Sequence, residues 1–417
     1  MGSLTRRQAL LHTAGLAAAG IIPPRYGIAA PLPVASADID RALQAKVASG
    51  DIPGVVAMAA NERTVLYEGA FGVRNMADGA RMSRDTVFRI ASMVKLLTSV
   101  AALQLVEQGK LRLDAPAADV DPSLAAEQVL AGFDARGAPR LRPAHKPITL
   151  RELLSHTSGF SYVLWDPNVV RYLKAARHHP HLPKKPLMFE PGTRWAYGNS
   201  IDHVGRMVEI ASGQSLDRYF RDHITGPLGM EDTAFSLHPE QRAREASLHV
   251  REGSGRLVPQ PLERQTTPTT FSGGGGIYST VPDYLTLTRA LLAGGSLGGI
   301  RILRRETVAQ MAVNQIGHLE AGILRTTNPA LSNDVDFFPG TRLRWTLGHM
   351  LNLDPVRHGR SAGSLTWAGL FNTYYWIDPT MGIAGVIMMQ ILPFADTRAL
   401  AAYRQFERGV CHAFRQA

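Results

Sequence analysis

The sequence predicts an α+β (α/β) fold in which the two ends of the chain build one antiparallel sheet, flanked by terminal helices and interrupted by a large helical insertion. Three observations lead to it. Strand-like runs occur early, at 54–60 and 63–68, and return only late, at 345–350, 364–367, 373–377 and 383–389. Helical periodicity opens the globular part at 39–48 and closes it at 398–414. From Ser92 to about residue 325 the chain reads as helices, such as 150–154, 202–211 and 284–292, separated by long loops. Residues 1–37 then form a leader, 38–91 together with 330–417 a discontinuous sheet domain, and 92–329 a mainly helical domain.

The leader comes first. Arg6-Arg7 precede a short apolar stretch, 9–22, and then the small residues Ala35-Ser36-Ala37, the arrangement of a twin-arginine export signal. The expected location is therefore periplasmic or secreted. The stretch is too short and too rich in alanine for a stable membrane span. Asn61-Glu62 turns the first hairpin, and 86–90 is a short extended run. The next helix has apolar residues at Leu96, Leu97, Val100, Ala101, Leu103 and Val106, and Gly109 stops it. Residues 120–147, rich in Pro, Ala and Arg, read as an exposed excursion, and 163–190 as a loop or lid. Asp378-Pro379-Thr380-Met381-Gly382 turns the last hairpin.

With 417 residues, 45% of them hydrophobic, the chain is long enough for a full core. Its net charge is +10, and +7 without residues 1–37, which carry Arg6, Arg7 and Arg25 and no acid. No dense Lys/Arg block interleaved with aromatics accompanies that excess, so nucleic acid is not an expected partner. Cys411 is the single cysteine, which excludes an intrachain disulfide. It falls on the closing helix.

Ser92-Met93-Val94-Lys95 carries the chemistry. A serine hydroxyl attacks poorly at neutral pH without a basic group beside it. Residues three apart on a helix lie one turn above each other, with Cβ atoms about 5–6 Å apart, so Lys95 reaches Ser92. A third group comes from Trp195-Ala196-Tyr197-Gly198-Asn199, a loop after a turn-rich approach. An ammonium favours a neighbouring phenolate, which makes Tyr197 the proton acceptor. Asn199, two residues on, points the same way in an extended segment and would orient Lys95 or the substrate.

Four stretches occur in order: Phe88-Arg-Ile-Ala-Ser92-Met-Val-Lys95, Leu150-Arg-Glu-Leu-Leu-Ser-His-Thr-Ser-Gly-Phe160, Pro191-Gly-Thr-Arg-Trp-Ala-Tyr197-Gly-Asn199-Ser200 and Gly273-Gly-Gly-Gly-Ile-Tyr-Ser-Thr280. Together, from about residue 40 to the end, they resemble the β-lactamase-related (class C β-lactamase-like) serine hydrolases, nearest in pattern to the family VIII carboxylesterases. The resemblance implies a β-lactamase/transpeptidase-like fold, no cofactor and no metal. It also implies a third motif on the edge strand, matched here by Trp367-Ala368-Gly369-Leu370. Lactamases and peptidases carry a Lys-Thr-Gly type sequence there; esterases of family VIII resemble this chain in carrying tryptophan, although Ala368 departs from their usual glycine. Without that cation a carboxylate-bearing lactam or peptide loses a partner. The backbone N–H groups of Ser92 and Leu370 are, by resemblance, the oxyanion donors. The expected activity is that of a serine carboxylesterase cleaving a short-chain, small-molecule ester through an acyl-enzyme on Ser92. Acyl transfer to an alcohol, β-lactamase, amidase or D-amino peptidase activity, and a non-catalytic penicillin-recognition-like binder stand as alternatives.

Other patterns compete. Gly359-Arg-Ser361-Ala-Gly363, followed by Asp378 and His412, matches the nucleophile elbow of α/β hydrolases, but that elbow needs a strand before it and a helix after it. His178-His179-Pro180-His181 has no fourth metal ligand at usable spacing and reads as a solvated loop. Gly273–Gly276 reads as a place of close backbone approach near the active site. His156 reads as structural.

Overall fold

A computed structural model describes residues 35–177, 179, 181–263 and 268–416. Residues 1–34, and with them most of the expected export leader, lie outside the described residues, as do His178 and Pro180. Ala35, Ser36 and Ala37 are the first residues of a helix, α1 (Ala35–Ala48).

Eight antiparallel strands form the sheet: β1 (Gly54–Ala60), β2 (Val65–Asn75), β3 (Ala80–Arg81), β4 (Leu343–Trp345), β5 (Met350–Asn352), β6 (Leu365–Gly369), β7 (Thr373–Asp378) and β8 (Ile383–Met388). Their order is β4-β5-β6-β7-β8-β1-β2-β3, so the N-terminal and C-terminal strands meet where Met58 pairs with Val386. β1, β6, β7 and β8 are buried along their whole length, because both faces of the sheet are covered. On one face, Tyr403 and Phe406 of the closing helix α7 (Thr397–Gln416) pack on Tyr374 and Trp376, and α1 lies beside it. Cys411 is buried on α7, and burial, the largest cause, pushes its thiol up to about 12.

The other face is covered by α6 (Val281–Leu292), whose Tyr284 packs on Tyr375. α6 belongs by sequence to the helical insertion, yet it packs against β1 and β8 as part of the sheet layer. α2 (Val94–Glu107) is buried on nearly every side, with α5 (Ser200–Ser212) packed against it. α3 (Leu150–Leu154) completes that cluster, with a capping box between Thr149 and Glu152.

Three local expectations are corrected. Residues 345–350, read as one strand, are the facing ends of β4 and β5: Trp345 pairs with Met350 across a turn that Gly348 enters at φ 151 and that the Thr346 N–H closes on the His349 carbonyl (2.9 Å). The turn is buried throughout and flanked by Trp345 and Met350, which is why its sequence imitates a strand. The excursion at 120–147 contains a hairpin, Gln128–Phe133 against Pro139–Pro143, and the expected lid contains α4 (Pro167–Ala176), capped by Asp166.

Candidate active site

The short strand Phe88–Arg89 pairs with Tyr278–Ser279, and the Ile90 N–H donates to the Ile277 carbonyl, 3.0 Å. Ala91 then adopts φ 44, and a 3-10 turn, Ala91–Met93, leads into α2. A non-glycine residue in that left-handed region stores about 1–3 kcal/mol of strain. Ser92 therefore sits on a bent, tightly braced turn rather than on the helix itself. The end of β6 closes against the same turn. A Cβ on Gly369 would meet the Ile90 carbonyl oxygen at 2.2 Å, so only glycine allows β6 to bring Leu370 beside Ser92.

Lys95 lies one turn further on, 2% exposed, and its Nζ donates to Ser92 Oγ at 3.0 Å and to the Gly274 carbonyl at 2.8 Å. The glycine run is positioned for this contact. Gly273 packs on the backbone of Gly205 in α5, and the Gly274 N–H donates to Asp202 Oδ1 at 2.9 Å. Burial works against the Lys95 ammonium, but the phenol oxygens of Tyr162 and Tyr197 and the Asp202 carboxylate outweigh it and hold its pKa above the ordinary lysine value. At neutral pH Lys95 is a cation. Its Nζ stands 5.1 Å from the Tyr197 ring centre and 5.4 Å from that of Tyr162.

Tyr197 is 2% exposed, and its hydroxyl accepts a hydrogen bond from Trp367 Nε1 at 3.0 Å. Thus Trp367 holds the phenol oxygen. His156 braces the same loop at φ 57: its ring lies 4.8 Å from that of Tyr197, and its Nδ1 meets Ser200 Oγ at 2.8 Å. Burial first, and the Lys95 charge second, keep this imidazole neutral.

Ser92, Tyr197, Trp367 and Leu370 line one cavity of about 470 Å³, whose remaining walls include Leu164, Trp165, Phe371 and Phe394. Arg89 also lines it. The absence of a cation at 367 thus does not leave the cavity without one, but Arg89 is already faced by Glu245 at 3.6 Å and Glu263 at 3.1 Å. Gly369 acts from behind the wall. Asn199 is the N-cap residue of α5, outside the lining, and its buried Nδ2 has no hydrogen-bond partner among the described residues. Ser361 lies in the turn segment before β6, its N–H on Asp378 Oδ2, with a strand rather than a helix after it.

Sequence reasoning missed Tyr162 and Asp202. An added Cβ on Gly274 would meet Asp202 Oδ1 at 2.9 Å, the Tyr162 hydroxyl at 3.1 Å and Lys95 Nζ at 3.3 Å, so these groups converge on one point. Burial, the largest cause, pushes Tyr162 up to about 12 despite Lys95, so it remains a phenol. The available signals were slight: Tyr162 follows the Ser-His-Thr-Ser-Gly-Phe stretch by two residues, and Asp202 opens α5.

A second buried imidazole, His349, contacts the Tyr375 hydroxyl at 3.0 Å, and burial lowers its pKa to about 3. The unfolded chain protonates it near 6.5. Its contribution to stability is therefore complete above about 6.5 and falls by about 1.4 kcal/mol per pH unit as pH drops toward its folded value. Glu127 and Asp283, both raised to about 7 chiefly by burial, act with the opposite sign, so the readout is a difference. We expect the Tm gap between wild type and His349→Gln to narrow from pH 7 to pH 5. A gap independent of pH refutes it.

Comparison with known proteins agrees with this geometry. The family model described as Beta-lactamase matches residues 39–409. The chain is 31% identical to the lovastatin esterase of Penicillium rubens over 390 residues, covering 88% of this chain and 96% of that protein. It is 31% identical to the monacolin J acid methylbutanoyltransferase of Aspergillus terreus over 410 residues, covering 91% and 96%. A mutant of the simvastatin synthase of Aspergillus terreus superposes with a TM-score of 0.80 at 32% identity, covering 92% of this chain and 100% of that one. EstCE1, a hydrolase with promiscuous acyltransferase activity, shares the fold with a TM-score of 0.70 at 22% identity, covering 89% and 98%. A half-buried serine hydrogen-bonded to a buried lysine beside a β-lactamase-type sheet, with these relatives over nearly the whole chain, makes this protein a member of the beta-lactamase family, among its serine hydrolases and acyltransferases of ester chemistry.

Proposed function

We propose that the protein cleaves short-chain carboxylic esters through an acyl-enzyme on Ser92. The observation that carries this is the buried Lys95 Nζ 3.0 Å from Ser92 Oγ and 5.1 Å from the ring centre of Tyr197, which is tied to Trp367 and lines the same cavity as Ser92. In the reactive form of the pair, Lys95 is an ammonium and Tyr197 a phenolate whose oxygen Trp367 stabilises. Ser92 Oγ attacks the ester carbonyl and its proton passes to Tyr197. The carbonyl oxygen gains negative charge between the Ser92 and Leu370 N–H groups. Collapse breaks the bond to the alcohol, which leaves with the proton from Tyr197. An incoming hydroxyl then attacks the acyl-enzyme, gives its proton to Tyr197, and Ser92 recovers it.

The incoming hydroxyl belongs to water or to an alcohol. Transfer to an alcohol is the second reading, favoured by the apolar walls around Ser92, which give an apolar acceptor a surface to displace water from, and by the transferases among the relatives. Lactams are disfavoured because Trp367 is engaged with Tyr197 and Arg89 with Glu245 and Glu263. The test is a chromogenic butyrate ester with and without added alcohol, beside a chromogenic cephalosporin. We expect ester turnover to exceed lactam turnover by about a hundredfold, the worth of one charged hydrogen bond, and alcohol to divert part of the acyl group. Failure to cleave the ester, or equal lactam turnover, overturns the assignment. Residues 1–37 are further proposed to direct export, which a secretion-dependent reporter fused to them tests.

A further inference from the structure

The lid carries an outward face whose chemistry suits a lipid surface. Of the side chains of α4 only Tyr172 is buried, its hydroxyl donating to the Pro183 carbonyl at 2.6 Å. Val170, Leu173, Lys174 and Arg177 recur at helical spacing on the opposite side and are all exposed, the two apolar ones by 40% and 39%. Val163, 47% exposed, precedes the helix, and Leu331, 38% exposed, is brought next to it because the Thr327 N–H donates to the Leu164 carbonyl and Trp165 Nε1 to Ser332 Oγ. Four of the most exposed large apolar side chains thus gather on one rim.

Charge gathers there too. Residues 134–194 hold eleven Lys and Arg against four Asp and Glu, a net +7, which equals the net charge of the whole chain beyond residue 37. The segment 167–185 has five cations and no acid. Arg171 lies 3.9 Å from the Phe133 ring centre, which joins the neighbouring hairpin, with Arg136 and Arg140 exposed on it, to the helix. A short helix with cations flanking exposed aliphatic side chains is the pattern that lies in the plane of a membrane interface. Leu164 and Trp165, immediately before α4, line the catalytic cavity, so this face borders its mouth.

We propose that the face formed by α4 and the 163 and 331 positions docks onto an anionic lipid bilayer surface, with the cations at the headgroups and Val163, Val170, Leu173 and Leu331 inserted between them. Among the described residues no helix is long and apolar enough to cross a membrane, so the contact is peripheral. It would place the cavity mouth at the source of apolar substrates. The inference goes beyond ester cleavage and is read without turnover.

Full-length protein would be sedimented with vesicles of phosphatidylglycerol and phosphatidylcholine, and with phosphatidylcholine alone, at low and high salt. Binding is expected to the anionic vesicles only, and to weaken with salt, since a Debye length of about 8 Å at physiological ionic strength screens exposed charge. Each Lys or Arg near an anionic surface strengthens partitioning about fivefold, so Lys174→Glu with Arg177→Glu should weaken binding by more than about tenfold. Val170→Ser with Leu173→Ser should weaken it as well, with circular dichroism and melting unchanged. No binding by wild type at low salt, equal binding to neutral vesicles, or variants that bind like wild type each overturns the proposal. So does self-association through this face, seen as a dimer in sedimentation velocity that the variants dissociate while vesicles fail to bind.

Discussion

Ser92→Ala is expected to abolish acyl-enzyme formation and to lower kcat on the ester by on the order of 10⁴ to 10⁶, the range seen when a nucleophile is removed from a positioned site. The variant should fold normally: Lys95 keeps its 2.8 Å bond to the Gly274 carbonyl, and the turn at Ala91–Met93 is braced by backbone contacts that do not involve Oγ. Intact-mass measurement after a fluorophosphonate probe reads the outcome. Wild type should gain one adduct at Ser92 and the variant none. An adduct on Ser361, the serine of the competing Gly-x-Ser-x-Gly pattern, would move the nucleophile to the turn before β6 and remove the basis of the proposed reaction.

Tyr197→Phe comes second in expected effect. It deletes the proposed proton acceptor, and general acid–base groups contribute about 10² to 10⁴ in rate, so kcat should fall by that factor while Ser92 still labels slowly. It also leaves the Trp367 Nε1–H, now 3.0 Å from the phenol oxygen, buried without an acceptor, at a stability cost of about 1–3 kcal/mol. Adding Trp367→Phe should recover part of that loss, because removing both partners is milder than orphaning one. In a wild-type background Trp367→Phe alone should slow acylation by about fivefold to tenfold, the worth of one neutral hydrogen bond. If it slows the Tyr197→Phe enzyme by as much, the hydrogen bond is not what couples Trp367 to catalysis.

The Ser92–Lys95 contact was legible because it is local: a spacing of three residues on one turn fixes the distance whatever the rest of the chain does. Tyr197 was legible by type, through its place in an ordered set of motifs. Sheet strands with strict alternation or continuous apolar runs, such as 54–60 and 383–389, were legible for the same reason. The 345–350 turn was not, since Trp345, Leu347 and Met350 give a buried turn the spaced apolar residues of a strand. α4 was hidden in a segment rich in His, Pro and Lys, where only one of its side chains is buried.

By itself the sequence determined the family, the antiparallel sheet made from both chain ends, and Ser92 with Lys95, all of which rest on spacing along the chain. Only the tertiary structure decided that Trp367 holds the Tyr197 oxygen and that Asp202 and Gly274 fix Lys95. These are contacts between segments from tens to nearly two hundred residues apart, and they follow from how α5, β6 and the glycine run pack around α2, which no local pattern encodes.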